Sequence, residues 1–231
     1  MKLILIHGAG GVGALWFFQT QHFKDADAPD LPGRSEGKSC ASIEEYADWV
    51  HGYIRDRNYK DVVLGGHSLG GGVALAYALK YPEDLKAIIL VGSGARLRVL
   101  PSIQDAVRGK LNDTQGWLNE LVMPMYRAVD HDCMKMLLPK LAAAGPAAQL
   151  NDFLCCDKFD VMDRVAEIKL PALAIVGDRD NMTPLKYSQY LVENMPDCRM
   201  SVIKGGSHLV FLEKPQEVNG AIEGFLKSIA S

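Results

Sequence analysis

The glycines of this chain gather where short apolar runs stop. Leu3-Ile4-Leu5-Ile6 leads into His7-Gly8-Ala9-Gly10-Gly11-Val12-Gly13, and Asp61-Val62-Val63-Leu64 leads into Gly65-Gly66-His67-Ser68-Leu69-Gly70-Gly71-Gly72. The run 87–91 ends at Gly92-Ser93-Gly94, the run 173–176 at Gly177-Asp178, and Ser201-Val202-Ile203 stops just short of Gly205-Gly206. Unbroken runs rich in Val, Ile and Leu mark strands covered on both faces, which means a parallel sheet. Glycine then belongs at the strand ends, where the backbone turns tightly or approaches another backbone closely.

Helical patterns lie between the runs. Ser42-Ile43-Glu44-Glu45 opens one with a capping box, in which the Ser42 hydroxyl and the Glu45 carboxylate satisfy end N–H groups. A second covers 74–79 and stops near Tyr81-Pro82, and a third runs from near Pro184 to just before Pro196. The last, from Pro215 to Ile229, places Val218, Ile222, Phe225 and Ile229 at helical spacing. This alternation predicts an α/β fold with a doubly wound, mostly parallel sheet of about six strands, binding ligands beyond the carboxyl ends of those strands. One stretch breaks the rhythm. Residues 95–165 hold no strand-like run and read as short helices divided by Pro101, Pro124, Pro139 and Gly145-Pro146. About seventy residues exceed an ordinary connection. They are expected to form a helical cap inserted after the fourth strand, with 1–94 and 166–231 as the core.

Composition excludes several partners. At 231 residues, 48% apolar and 23% charged, the chain can bury a core that needs neither disulfide nor metal. A net charge of −3 argues against a non-specific hold on nucleic acid or a membrane surface. No apolar run nears the roughly 20 residues of a membrane span. The apolar opening is too short for a signal segment and runs into His7 without a cleavage site. Five cysteines (Cys40, Cys133, Cys155, Cys156, Cys198), odd in number and without a C-x-x-C pair, fit a reducing, cytoplasmic setting.

Two glycine clusters carry chemistry. Residues 8–13 satisfy G-x-G-x-x-G after a strand, with Asp27 and Asp30 about 20 positions on, which is the pattern of a dinucleotide-binding turn. Against it, Pro29 makes a ribose-binding strand end awkward before Asp30, and His7 has no cofactor role. The second cluster is more complete. Gly66-His67-Ser68-Leu69-Gly70 is G-x-S-x-G between a strand and a helix. A sharp strand-to-helix turn strains its central residue and leaves room only for small residues two places before and after. The Ser68 hydroxyl is thereby raised at a helix N-terminus, where amides and dipole favour developing negative charge.

Serine needs a base. His22 and His51 lie in helical patterns, His131 in the cap, and His7 at a strand end reads as a structural hydrogen-bonder. His67 adjoins the serine but points another way. His208, in Lys204-Gly205-Gly206-Ser207-His208 after the last strand, lies where a loop reaches Ser68. A carboxylate must orient its imidazole. Of the two in Gly177-Asp178-Arg179-Asp180, Asp180 is the choice, while Asp178 is expected to cap a turn or pair with Arg179.

Taken together these motifs resemble the α/β-hydrolase superfamily over essentially the whole chain except the cap. His7-Gly8-Ala9-Gly10 resembles the oxyanion loop of that family, Gly66 to Gly70 its nucleophile elbow, Gly177 to Asp180 with Pro184 its acid loop, and Gly206-Ser207-His208 with Glu213-Lys214-Pro215 its histidine loop. Asp30-Leu31-Pro32-Gly33-Arg34-Ser35 resembles the D-x-x-G-x-G-x-S turn, with Ser35-Glu36-Gly37-Lys38-Ser39 replacing its second glycine. Full-length members place two strands before the oxyanion loop, so the chain reads as a minimal member. The resemblance implies Ser68 as nucleophile, His208 as base and acid, Asp180 as orienter, and the Ala9 and Leu69 N–H groups as oxyanion hole, with no cofactor and no metal. Haloalkane dehalogenases and epoxide hydrolases of this fold use an elbow aspartate, so Ser68 speaks against both. Esterase, lactonase, thioesterase, C–C-bond hydrolase and cofactor-free haloperoxidase chemistries stay open, as does a receptor-like member with little turnover. The expected partner is a small ester, lactone or thioester. His67, Arg96, Trp117, Met123 and Tyr126 are candidate substrate contacts, with Arg96 and Arg98 able to meet a carboxylate or phosphate.

Overall fold

A computed structural model describes residues 1–34 and 37–230. Six parallel strands form one sheet: β1 (Lys2–Ile6), β2 (Ala26–Asp27), β3 (Val62–His67), β4 (Leu85–Val91), β5 (Ala172–Gly177) and β6 (Cys198–Ile203), in the order β2-β1-β3-β4-β5-β6. The five apolar runs are all strands. The sixth strand is the two-residue β2, too short and too polar to announce itself.

Side chains alternate across each strand and feed two cores. Ile4, Ile6, Val62, Leu64, Ile88 and Leu90 face one side. Leu3, Leu5, Val63, Ile89, Val91 and Ile175 face the other. Helices α1 (Phe17–His22), α2 (Ile43–Asp56) and α3 (Leu69–Lys80) come first along the chain. Helices α4 (Pro101–Arg108), α5 (Thr114–Trp117) and α6 (His131–Lys158) lie between β4 and β5, followed by α7 (Leu185–Asn194), α8 (Val210–Glu213) and α9 (Pro215–Ile229). The first core takes Tyr46 and Val50 of α2, Val73 and Tyr77 of α3, and Leu191 of α7. The second takes Trp16, Phe211 and the α9 residues Val218, Ile222 and Phe225. The capping box at α2 forms: Ser42 Oγ accepts from the Glu45 amide, and the Glu45 carboxylate accepts from the Ala41 amide at 2.8 Å. That second donor lies one residue upstream of the cap itself.

Between β4 and β5 the chain is helical throughout its regular elements, and α6 is broken at Gly145 (φ 74°, ψ 173°) ahead of Pro146. Residues before the break, such as Met134, Leu137 and Leu141, pack with the second core. Cys155, Cys156 and Phe159 pack with the first, so this segment straddles both faces of the sheet. Among the described residues, no helix is long and apolar enough to cross a membrane.

Candidate active site

The loops after β1, β3, β4, β5 and β6 meet at the carboxyl edge of the sheet, as parallel topology requires. Ser68 stands at the β3–α3 turn with φ 52° and ψ −114°, a conformation that side-chain-bearing residues rarely hold and that constrained functional turns do hold. Its neighbours enforce that shape. A methyl on Gly66 would run into the Gly70 carbonyl, and one on Gly70 into the Ile6 carbonyl, so the outer positions of G-x-S-x-G tolerate no side chain. The Ser68 amide donates to Val91 O at 3.0 Å, and Ser93 Oγ donates to Ser68 O at 2.7 Å. The turn is therefore pinned to the end of β4.

Asp180 and His208 come together at the end of β4, where a Cβ on Gly92 would lie 3.2 Å from Asp180 Oδ2 and 3.5 Å from His208 Nδ1, next to the Val91 that Ser68 bonds. His208 Nδ1 donates to Asp180 Oδ2 at 2.9 Å, with the Asp180 side chain wholly buried and that of His208 nearly so. Thr183 donates to the same oxygen through Oγ1 at 2.8 Å, and the Met182 and Thr183 amides donate to Asp180 Oδ1 at 2.9 Å each. Burial opposes the charge of Asp180, but these donors outweigh it and hold the carboxyl below its usual range. Asp180 is thus a fixed anion that orients the His208 ring through Nδ1, with Nε2 at the far side of the ring from that contact. Ser68 Oγ makes no hydrogen bond to His208 among the described residues. Asp178 accepts from the Gly205 amide at 2.7 Å and so caps the turn that carries the histidine loop. The Ser207 amide donates to Glu213 at 2.7 Å, tying that loop to α8.

His67, a candidate substrate contact from the sequence, is instead a support. It is 3% exposed, its ring lies 4.6 Å from that of His208 and 4.7 Å from Phe211, and its Nε2 donates to His208 O at 2.9 Å. Burial and the neighbouring His208 lower its pKa to about 3, so the ring is neutral. With the proton on Nε2, Nδ1 is left without a partner. That atom faces Gly8, where an added Cβ would come within 2.6 Å of it.

The loop at residues 8–11 lies alongside. Gly8 O accepts from the Gly11 amide at 3.0 Å and from His7 Nδ1 at 2.9 Å, and His7 Nε2 accepts from the Leu31 amide at 3.1 Å. His7 is therefore a neutral structural hydrogen-bonder, its pKa lowered by burial and by Arg34. Gly10 donates to Asp152 Oδ2 at 2.8 Å. Ala9 sits between these two anchors. Leu69 opens α3, so its amide is a first-turn N–H with no intrahelical acceptor.

A model of the alpha/beta hydrolase family matches residues 3–221. The chain belongs to that family. It is 26% identical over 245 residues to a pimeloyl-[acyl-carrier protein] methyl ester esterase of Aeromonas hydrophila, covering 97% of this chain and 94% of the relative. A solved thermophilic esterase is 32% identical, with TM-score 0.80 and coverage of 99% and 90%. A thermophilic esterase from Thermogutta terrifontis shares the fold at TM-score 0.87 and 24% identity, with coverage of 100% and 91%.

This alpha/beta hydrolase corrects other expectations about substrate contacts. Trp117 is 1% exposed and donates through Nε1 to Gln149 Oε1 at 2.6 Å, so it locks α5 onto α6 and presents no surface to a ligand. Tyr126 is buried in the same core. Arg96 pairs with Asp160 at 3.7 Å and lines a hollow of about 250 Å³ with Met162, Lys186, Tyr187 and Tyr190, which neither Ser68 nor His208 borders. Arg98 lies 4.0 Å from Asp157. Met123 is exposed. The larger opening, about 740 Å³, borders His208 and is lined by Met125, Arg127, Arg179, Met182 and Leu209 among others. Sequence reasoning missed Thr183 as the second partner of Asp180, although it stands only three residues on. It also missed Arg34, Tyr46 and Asp152, whose only signal is spatial. In the Asp30-to-Ser39 turn, Asp30 accepts from the Gly13 amide at 2.6 Å, while Ser35 and Glu36 lie outside the described residues.

Proposed function

We propose that this chain hydrolyses an ester-type bond of a small, partly apolar substrate through an acyl-enzyme on Ser68. The observation that carries the reading is the His208–Asp180 hydrogen bond at the end of β4, the strand to which a serine held at φ 52° is pinned. Ser68 Oγ attacks the carbonyl carbon while His208 Nε2 takes its proton, and the carbonyl π-electrons move onto oxygen. The Ala9 and Leu69 amides face that oxyanion. Collapse expels the alcohol, which takes the proton back from His208. Water then repeats the sequence on the acyl-enzyme and returns the acid and free Ser68. Asp180 holds the imidazole in the required tautomer throughout.

Residues 95–165 serve as a cap over this edge, inserted into a core of 1–94 and 166–231. The opening against His208 takes the acyl or alcohol part, its Met125, Met182 and Leu209 suiting apolar groups and its Arg127 and Arg179 a negative one. The esterase named among the relatives supports an ester over a C–C bond. Five free cysteines accord with a cytoplasmic setting.

Replacing Ser68 by Ala tests the reading. Hydrolysis of short p-nitrophenyl esters should fall by about 10⁴-fold or more, and labelling by a serine-reactive phosphonate should vanish. Undiminished turnover or labelling in that variant overturns it. Many turnovers per molecule of wild type exclude a receptor-like role.

A further inference from the structure

We propose that Asp152, on α6, is a positioning residue that aims the Ala9 amide at the oxyanion, so that the segment between β4 and β5 helps to complete the oxyanion hole. The inference rests on the acyl-enzyme reading above and goes beyond it to a residue 142 positions from the loop it holds.

The aim of the Ala9 N–H depends on two peptide planes. The Gly8–Ala9 plane is fixed on its carbonyl side, where Gly8 O accepts from His7 Nδ1 and the Gly11 amide. In a trans peptide N–H points opposite to C=O, so these bonds supply one of the two restraints on the Ala9 N–H. The Ala9–Gly10 plane is fixed on its amide side, where Gly10 N donates to Asp152 Oδ2 at 2.8 Å. Release of the second plane lets the loop rotate about Ala9. Gly10 sits at φ 67°, and its Cα packs against the side chain of Gln149, one turn before Asp152 on the same helix. Both contacts come from α6.

Asp152 is itself held from every side. Its carboxylate is fully buried, pairs with the Arg34 guanidinium, and accepts from Tyr46 Oη at 2.8 Å through Oδ1. Arg34 also donates through Nε to Gly11 O at 3.2 Å, so the pair grips an amide and a carbonyl of one loop. A buried ion pair is a poor way to gain stability, since apolar side chains of similar volume do as well or better. It is a good way to fix a direction. The carboxylate supplies a strong acceptor for Gly10, and Arg34 neutralises it, so no net negative charge stands behind the developing oxyanion.

The test compares wild type, Asp152→Asn, Tyr46→Phe and Ser68→Ala on a short p-nitrophenyl ester. It adds inhibition by a trifluoromethyl ketone, whose Ser68 adduct carries an oxyanion in the same place. Asp152→Asn should lower kcat by about 10–100-fold with KM changed less than about 3-fold, within the range for weakening one oxyanion donor. Ketone affinity should fall by the same factor, which a merely structural role would not produce. Tyr46→Phe, which removes the hydroxyl that donates to Oδ1 and accepts from Arg34 Nη1 at 3.2 Å, should shift both quantities together by about 3-fold. It carries the test alone should Asp152→Asn fail to fold. Unchanged kcat in folded variants, a loss confined to KM, or a kcat loss without loss of ketone affinity overturns the proposal. An inactive wild type or an active Ser68→Ala overturns the acyl-enzyme reading instead.

Discussion

Two loops supply the working groups of the proposed site, and they are held in different ways. The elbow at Ser68 is locked by its own neighbourhood: Gly66 against Gly70, Gly70 against the end of β1, and Ser68 O against Ser93. The loop at Gly8 to Gly11 has one local turn and the bond from His7, packs on His67, and is otherwise anchored by Arg34, Gln149 and Asp152. Sterics internal to a turn give a geometry that cannot relax without unfolding it. Hydrogen bonds from distant side chains give one that can be loosened while the fold persists.

That contrast ranks the consequences of substitution. Gly66→Ala should be the most damaging, because its methyl meets backbone that has nowhere to go. A loss of about 3 kcal/mol or more in a denaturant titration is expected, with activity lost in the remaining folded protein. A stable, active Gly66→Ala protein would mean that the elbow is as adaptable as its neighbour.

Acid comes next and touches both loops at once. His7 under one loop and His67 beneath the other are buried and neutral, with pKa values below the ordinary 6.5. The unfolded chain therefore binds protons that the native protein refuses, and stability falls as pH drops below about 6.5 towards the lowered native values. Each histidine contributes up to about 1.4 kcal/mol per pH unit, or about 2 kcal/mol between pH 6.5 and pH 5. Urea midpoints measured across that range should fall, and His7→Asn should flatten the slope by about half. A midpoint independent of pH would show that the two rings are hydrated.

Gly10→Ala is the mildest. An alanine at φ 67° costs about 1 kcal/mol, and its methyl would approach Gln149 Cβ to 2.7 Å, a side chain able to give way. Stability should drop by about 1–2 kcal/mol, with kcat reduced about tenfold in a protein that still folds. If Gly10→Ala unfolds the chain as readily as Gly66→Ala, the distinction between the loops fails.

The same contrast explains what the sequence could show. Ser68, Asp180 and His208 can be nominated from the sequence because each follows a strand whose apolar run ends in glycine. β2 cannot be, since a two-residue edge strand needs no apolar run. Trp117 and Tyr126 looked like pocket residues because an aromatic in a helical segment carries the same signature whether it faces a ligand or a core. Their burial settles the matter. Asp152 carries no local motif in the sequence. Only the fold shows that Gly10, Arg34 and Tyr46 converge on it.

The 142-residue span between Gly10 and Asp152 has a consequence for synthesis. As the chain leaves the ribosome, the contacts of the elbow are all available once Ser93 has emerged. The loop at Gly8 to Gly11 must wait for α6, and the His208 imidazole comes later still. On the proposed mechanism, a chain halted before the break at Gly145 lacks both the anchor for the Ala9 amide and the imidazole that serves Ser68. On that mechanism, chemical competence arrives only with the last quarter of the polypeptide, after Ser68 itself has been placed.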